Sequence, residues 1–192
     1  MKKTLLALML AATSATSMTA TAASQAHTVA DVTLANQIQV GEQSLSYYGA
    51  GVRSKFFMDL YVGALYAEQS GLSAEAVIAG NAVSAVRLNI LSDMITSERM
   101  IDTIEEGFEQ ASDGNVAPLR QRLDAFVAVF DEAIAVGDQF TLVSLPGVGI
   151  DAYKNGQLLT KIEGDDFRQT LFSIWLGDDP ADKKLKNKML GK

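Results

Sequence analysis

Apolar and polar positions change rhythm along the chain, and each change predicts an element. Val32 to Val40 alternates with period two and predicts a first strand. Gly41-Glu42-Gln43 predicts a turn, and Ser44 to Arg53 a second strand with Leu45 and Tyr47 on one face. From Phe56 to Tyr66 both parities are apolar: Phe56, Met58, Leu60, Val62, Ala64 and Tyr66 on one, Phe57, Tyr61 and Leu65 on the other. A strand of that kind is covered on both faces and belongs in the middle of the molecule. Gly63 within it predicts a close approach of something to the backbone.

Ser73 is placed to cap a short helix to Ala79, with Gly80 as its stop. Ala82 to Leu91 alternates again, with Val86, Leu88 and Ile90 on one face. The period then becomes helical. Ile101, Ile104, Phe108 and Ala111 predict one helix capped by Ser97 and ended by Asp113-Gly-Asn. Leu119, Leu123, Phe126, Phe130 and Ile134 predict a second, from Pro118 to Gly137. Gln139 to Leu145, Val148 to Lys154 and Gln157 to Glu163 return to strand, the last two joined by the hairpin dipeptide Asn155-Gly156. Phe167, Leu171, Ile174 and Trp175 predict a helix ended by Gly177, and Pro180 opens a last short one with Leu185 and Met189. Strands at both ends with helices between them predict an α+β domain: one large antiparallel sheet with helices against one face.

The first residues lie outside this pattern. Met1-Lys-Lys and the short apolar run Thr4 to Ala12 precede a Thr/Ser/Ala-rich segment with small-x-small sites at Ala20-Thr-Ala22 and Ser24-Gln-Ala26. That predicts a secretory signal peptide over 1–22, with cleavage as late as 26. A flexible leader over 23–30 and a single domain over 31–192 follow. The apolar run is too short to span a membrane, and the absence of cysteine excludes an N-terminal lipid anchor and disulfides. The expected address is therefore the periplasm, for a soluble exported protein that is not a lipoprotein.

Composition narrows the chemistry. Of 192 residues 48% are hydrophobic and 20% charged, a globular balance. Lys2 and Lys3 leave with the signal peptide, so 14 of the 16 basic residues face 23 acidic ones, a net charge of −9. That sign argues against nucleic acid as a partner. The single histidine, His27, lies in the expected leader, so no Ser-His-Asp or Cys-His set is expected in the domain. No zinc ligand set, Walker loop or dinucleotide fingerprint occurs, and neither a metal nor a cofactor is expected. What remains is Arg53, several tyrosines and apolar surface. A guanidinium with a phenol nearby can hold a carboxylate through charge-assisted hydrogen bonds; an arginine that pairs with a surface acid is the plainer alternative.

Several stretches together are similar to the chalcone isomerase-like family. They are Gly49-Ala-Gly-Val-Arg53, Lys55-Phe56, Leu60 to Tyr66, Pro146 to Gly149, Asn155-Gly156, Phe167 to Gly177, Pro180-Ala-Asp182, Leu185-Lys186 and Met189-Leu-Gly191. The resemblance spans the mature chain in order and looks most like an exported bacterial branch. It implies an open-faced β-sandwich, the large antiparallel sheet carrying a helical layer on one face. Plant enzymes of the family cyclise a chalcone to a flavanone, and their arginine, after a Gly-x-Gly-x-Arg turn, corresponds to Arg53. Non-catalytic relatives use that arginine and a tyrosine to hold a fatty-acid carboxylate. Leu60 stands where the enzymes have a ketone-polarising threonine, and 82–112 contains no counterpart of their catalytic tyrosine.

The resemblance and the doubly apolar strand together imply a non-catalytic binding protein for a small apolar carboxylate such as a fatty acid. Arg53 would be the anchor, Tyr61 or Tyr66 a second donor, and Phe56, Phe57, Leu60 and Val62 the apolar wall. Strand parity separates Tyr61 from Tyr66, so at most one of them shares the cleft with a given set of wall residues. The alternatives are an intramolecular lyase of the chalcone isomerase type, with Arg53 as its catalytic residue, and a ligand-free envelope scaffold.

Overall fold

A computed structural model describes residues 26–192. The expected signal peptide and the start of the leader fall outside the described residues. Two short strands, β1 (His27–Val29) and β2 (Val32–Leu34), form a hairpin of their own. The main sheet follows as an antiparallel meander in chain order: β3 (Gln37–Val40), β4 (Gln43–Lys55), β5 (Met58–Ala67), β6 (Ser84–Ile90), β7 (Gln139–Leu145), β8 (Gly149–Lys154) and β9 (Gln157–Glu163). Among the described residues five α-helices join it: α1 (Ala74–Ala79), α2 (Ser97–Ala111), α3 (Arg120–Val127), α4 (Asp165–Leu176) and α5 (Lys183–Met189). This is the expected α+β arrangement, a large antiparallel sheet with its helices on one face.

From Tyr61 onward the two apolar parities of β5 divide between two cores, while Leu60, at a bulge, joins Tyr61 on the helix side. Tyr61 and Leu65 face the helices, in a core shared with Phe108, Phe126, Phe167 and Phe172. Val62, Ala64 and Tyr66 face the other way, packed with Leu34, Ile38, Leu45 and Val143 under the β1–β2 hairpin. Coverage on both sides explains the continuous apolar run. The helical layer is knit by an aromatic chain from Phe108 through Phe167, Phe126 and Phe130 to Phe140, with ring centroids 4.9, 5.6, 5.7 and 5.0 Å apart.

Glycines of β4 and β5 seat α5. A Cβ on Gly49 would lie within 3 Å of the backbone oxygens of Lys188 and Met189, and one on Gly51 2.7 Å from Lys188 Cβ. Gly63 meets Leu185 and Met189, which is the close approach its sequence position predicts. Gly49-Ala-Gly-Val-Arg is therefore the middle of a strand rather than a turn, and its glycines are a floor for a helix.

Other boundaries also differ from expectation. His27–Val29 is strand rather than flexible leader, because Ala30-Asp31 makes a tight turn and His27 stacks on Tyr47 at 3.9 Å. The alternating stretch from Val32 to Val40 is two strands, separated where the chain leaves the hairpin for the sheet. Phe56 and Phe57 are a turn instead of strand, with β5 starting at Met58. Thr96, not Ser97, caps α2; Ser97 donates its hydroxyl to the Phe130 carbonyl. The segment expected as one helix from 118 to 137 is α3 flanked by 3-10 turns and stops at Phe130. Phe130 is held between Phe126 and Phe140, and the chain then turns outward to reach β7. Among the described residues no helix is long and apolar enough to cross a membrane.

Candidate functional site

The register of the β4–β5 hairpin creates the site. Its two-residue turn pairs Lys55 with Met58 and Ser54 with Asp59, and a bulge at Leu60 then shifts the register so that Arg53 lies opposite Tyr61, both side chains leaving the sheet toward the helices near its open end. Opposite them stand the 91–96 segment and the first half of α2. The cleft between, about 360 Å³, is lined by Arg53, Leu60 and Tyr61 from the sheet and Met94, Ile95, Met100 and Thr103 from the far wall. Lys55 and Phe56 form its rim with Arg99. Beyond Arg53 a smaller recess of about 150 Å³ runs between α2 and α4, past Thr103, Gly107, Ser173 and Ile174. Arg53 stands where the two spaces meet.

Arg53 is half-buried, and its Nη1 is buried with no hydrogen-bond partner among the described residues. Unpaired buried donors are rare and unfavourable, more so when charged. Tyr61 beside it is buried, and its hydroxyl accepts a 3.1 Å hydrogen bond from Trp175 Nε1 of α4. Burial pushes the Tyr61 phenol above its ordinary pKa, while the Arg53 charge and the Trp175 hydrogen bond act the other way. Tyr61 therefore stays a neutral phenol. An indole N–H can only donate, so the Tyr61 oxygen is the acceptor in that contact and its own proton is free to donate.

The cleft's charge balance opposes that of the chain. Arg53, Lys55 and Arg99 face Asp102 and Glu106, three cations against two carboxylates, in a chain of net charge −7. Arg99 is held by the Met94 carbonyl at 3.1 Å. Asp59 is kept apart from this group by the Ser54 hydroxyl, 2.6 Å away.

The sequence-derived residues divide accordingly. Arg53, Tyr61, Leu60 and Phe56 all line the cleft. Phe57 stands clear of it, fully exposed at the turn. Val62 and Tyr66 are on the opposite face of the sheet, where the Arg87 guanidinium lies 5.4 Å from the Tyr66 ring. The far wall, Met94 to Glu106, escaped sequence reasoning. Its signal is a second stripe on α2, Arg99, Thr103, Glu106 and Gln110, recurring at helical spacing beside the apolar one. Arg168 was missed as well. It is wholly buried in α4, bonded to Asp165, to Ser144 and to the carbonyls of Ile78 and Ala79, and it ties the end of α1 to the sheet. Among the described residues no three His, Asp or Glu side chains group to hold a metal ion.

A family model described as chalcone isomerase-like matches residues 26–191. Among solved structures, that of an Arabidopsis thaliana fatty-acid binding protein is similar with a TM-score of 0.65 at 16% identity, covering 83% of this chain and 92% of the other. No curated protein matches the sequence.

Proposed function

The chain belongs to the chalcone isomerase-like family, and on that premise we propose that it is a non-catalytic binding protein for a small apolar carboxylate such as a fatty acid. The observation that carries this reading is the unpaired, buried Arg53 Nη1 beside the protonated Tyr61 hydroxyl in an otherwise largely apolar cleft. Two convergent donors with no base between them match the two oxygens of a carboxylate. A volume of about 360 Å³ lies within the range usual for small-molecule sites, ~300–1,000 Å³. The similar Arabidopsis protein is a fatty-acid binding protein, which supports the same class of ligand here. The proposal includes export: the pattern of residues 1–22 favours a periplasmic location for the mature chain.

The lyase reading is weaker. Leu60 gives the cleft an aliphatic wall where the resemblance sets a threonine, and the 82–112 stretch supplies no tyrosine. The scaffold reading requires Arg53 to be tied to an acid or turned to solvent, and its buried Nη1 favours neither.

The test uses delipidated protein and palmitate, with binding followed by calorimetry and by the fluorescence of Trp175, the chain's one tryptophan, which touches Tyr61. Arg53→Met removes a charge-assisted hydrogen bond worth ~1.5–3 kcal/mol, so affinity drops about 10- to 100-fold. The methyl ester of palmitate binds the unaltered protein as weakly as palmitate binds the variant. Equal affinity for acid and ester, or an Arg53→Met protein that binds as the wild type does, rejects the carboxylate reading. Turnover of naringenin chalcone that depends on Arg53 would replace it with the lyase.

A further inference from the structure

The β4–β5 turn is built from residues that such a turn disfavours. Lys55 pairs with Met58, so Phe56 and Phe57 are its two central residues, with φ of 52° and 65°. Positive φ at both positions is the hairpin geometry that selects Asn-Gly, because a side chain on Cβ crowds the backbone there. The same chain builds the β8–β9 turn in that geometry with Asn155-Gly156, at 51° and 83°, and the β1–β2 turn with Ala30-Asp31, at 44° and 62°. Only the β4–β5 turn carries two bulky aromatic side chains, and the fold recovers little from them. Phe57 is fully exposed, Phe56 is 74% exposed and Met58 43% exposed; Lys55 Nζ lies 5.6 Å from the Phe56 ring.

The placement supplies a reason. Phe56 and Lys55 form the rim of the cleft, with Arg99 across from them on α2. The turn is thus an apolar apex flanked by cations at the mouth of the cleft, on a chain whose net charge is −7. We propose that this apex, Phe56-Phe57-Met58 with Lys55 and Arg99, docks the protein on an anionic lipid bilayer with the cleft mouth against the membrane surface. A convex apex of three side chains presents a point rather than a face. A stable protein–protein contact buries ~800 Å² on each partner and needs a face. A bilayer interface accepts a point: aromatic rings settle at headgroup level and cations meet anionic headgroups. Docking does not depend on what occupies the cleft. If the cleft takes an apolar carboxylate, the apex sets its mouth where such a ligand leaves the membrane.

The experiment floats delipidated full-length mature protein with vesicles of phosphatidylethanolamine and phosphatidylglycerol. Three chains are compared: the wild type, Phe57→Gly, and the double variant Phe56→Asn/Phe57→Gly. Withdrawing one phenylalanine from an apolar phase changes a partition constant by roughly tenfold to a hundredfold. The single variant is expected to lose about tenfold in vesicle binding and the double variant a hundredfold or more. Both substitutions suit the turn, so the variants stay folded. Phe57→Gly alters no cleft-lining side chain, so palmitate affinity in solution separates failure of docking from failure of the carboxylate site. A wild-type chain that remains unbound to the vesicles overturns the proposal. So do variants that float equally well, or a wild-type dimer, formed without vesicles, that the double variant abolishes.

Discussion

Replacing Phe56-Phe57 by Asn-Gly is expected to stabilise the protein, although it deletes two large hydrophobic residues. Left-handed backbone costs an ordinary L-residue about 1–2 kcal/mol relative to its right-handed form, and this turn sets two such residues in sequence at φ 52° and 65°. Asparagine tolerates that region and glycine occupies it freely. Against the relief stand two losses. Glycine widens the unfolded ensemble, which returns about 0.4–1 kcal/mol. The exposed Lys55–Phe56 contact gives up about 0.5 kcal/mol. Phe57 is fully exposed, so no buried area is lost with it. The balance favours the variant by about 1–2 kcal/mol, a rise in Tm of roughly 3–6 °C for a chain of this size. Equilibrium urea unfolding measures it: the midpoint should rise with the slope unchanged. The converse exchange, Asn155→Phe with Gly156→Phe in the β8–β9 turn, should lower the midpoint. A variant midpoint equal to or below that of the wild type refutes the argument, because the Phe-Phe turn would then carry no strain for function to explain.

Gly49→Ala would set its Cβ within 3 Å of two backbone oxygens of the α5 C-terminus, so the helix must move. A loss of about 2 kcal/mol or more is expected, together with faster amide exchange across Lys183–Met189, and unchanged exchange there refutes the seating of α5 on the glycines. Asp166 is held at a pKa of about 2, chiefly by paired 2.6 Å hydrogen bonds from Arg122. A carboxylate depressed in the folded state contributes fully above its unfolded value of ~4 and loses that contribution as pH falls through the folded one. The urea midpoint should therefore fall between about pH 4 and pH 2, and Asp166→Asn should flatten that part of the profile.

Much of the fold can be read from the chain because the signals are local. Ser73 accepts from the Ala76 N–H and Gly80 is left-handed, so both ends of α1 lie where their residues predict. Asn155-Gly156 turns the last hairpin, and the doubly apolar β5 lies between two cores. The Phe-Phe turn escapes because nothing in its residue types marks a turn: two β-formers inside a run of β-formers predict strand. Its position then controls the site. Arg53 and Tyr61 are opposite each other because a two-residue turn at 56–57 is followed by a bulge at Leu60; the turn alone would pair Arg53 with Leu60. Parity correctly separates Tyr61 from Tyr66, but which parity faces the helices depends on where α5 seats, and that rests on Gly49, Gly51 and Gly63 together. Val62 and Tyr66, expected near the ligand, consequently face the other core. The far wall comes from α2, whose rotation is fixed by contacts such as Gly107 against Ile174 rather than by its own period.

The protonation state of Tyr61 bears on what this cleft can do. An ionised Tyr61 beside Arg53 could take a proton from a bound group. Trp175 donates its indole N–H to the Tyr61 oxygen, and that bond and the Arg53 charge favour the phenolate, but burial acts more strongly the other way. Burial raises the phenol pKa, so the proton stays on. The cleft thus offers a guanidinium and a neutral phenol, both donors, and its remaining carboxylates, Asp102 and Glu106, belong to the opposite wall. Two donors without a base beside them can stabilise an anion that arrives as an anion. Generating one within the cleft requires a group that removes a proton, and in the conjugate addition of a chalcone the nucleophile is a phenolate. A substrate entering as a neutral phenol would have to give its proton to Asp102 or Glu106 on the opposite wall, whereas a carboxylate enters already charged.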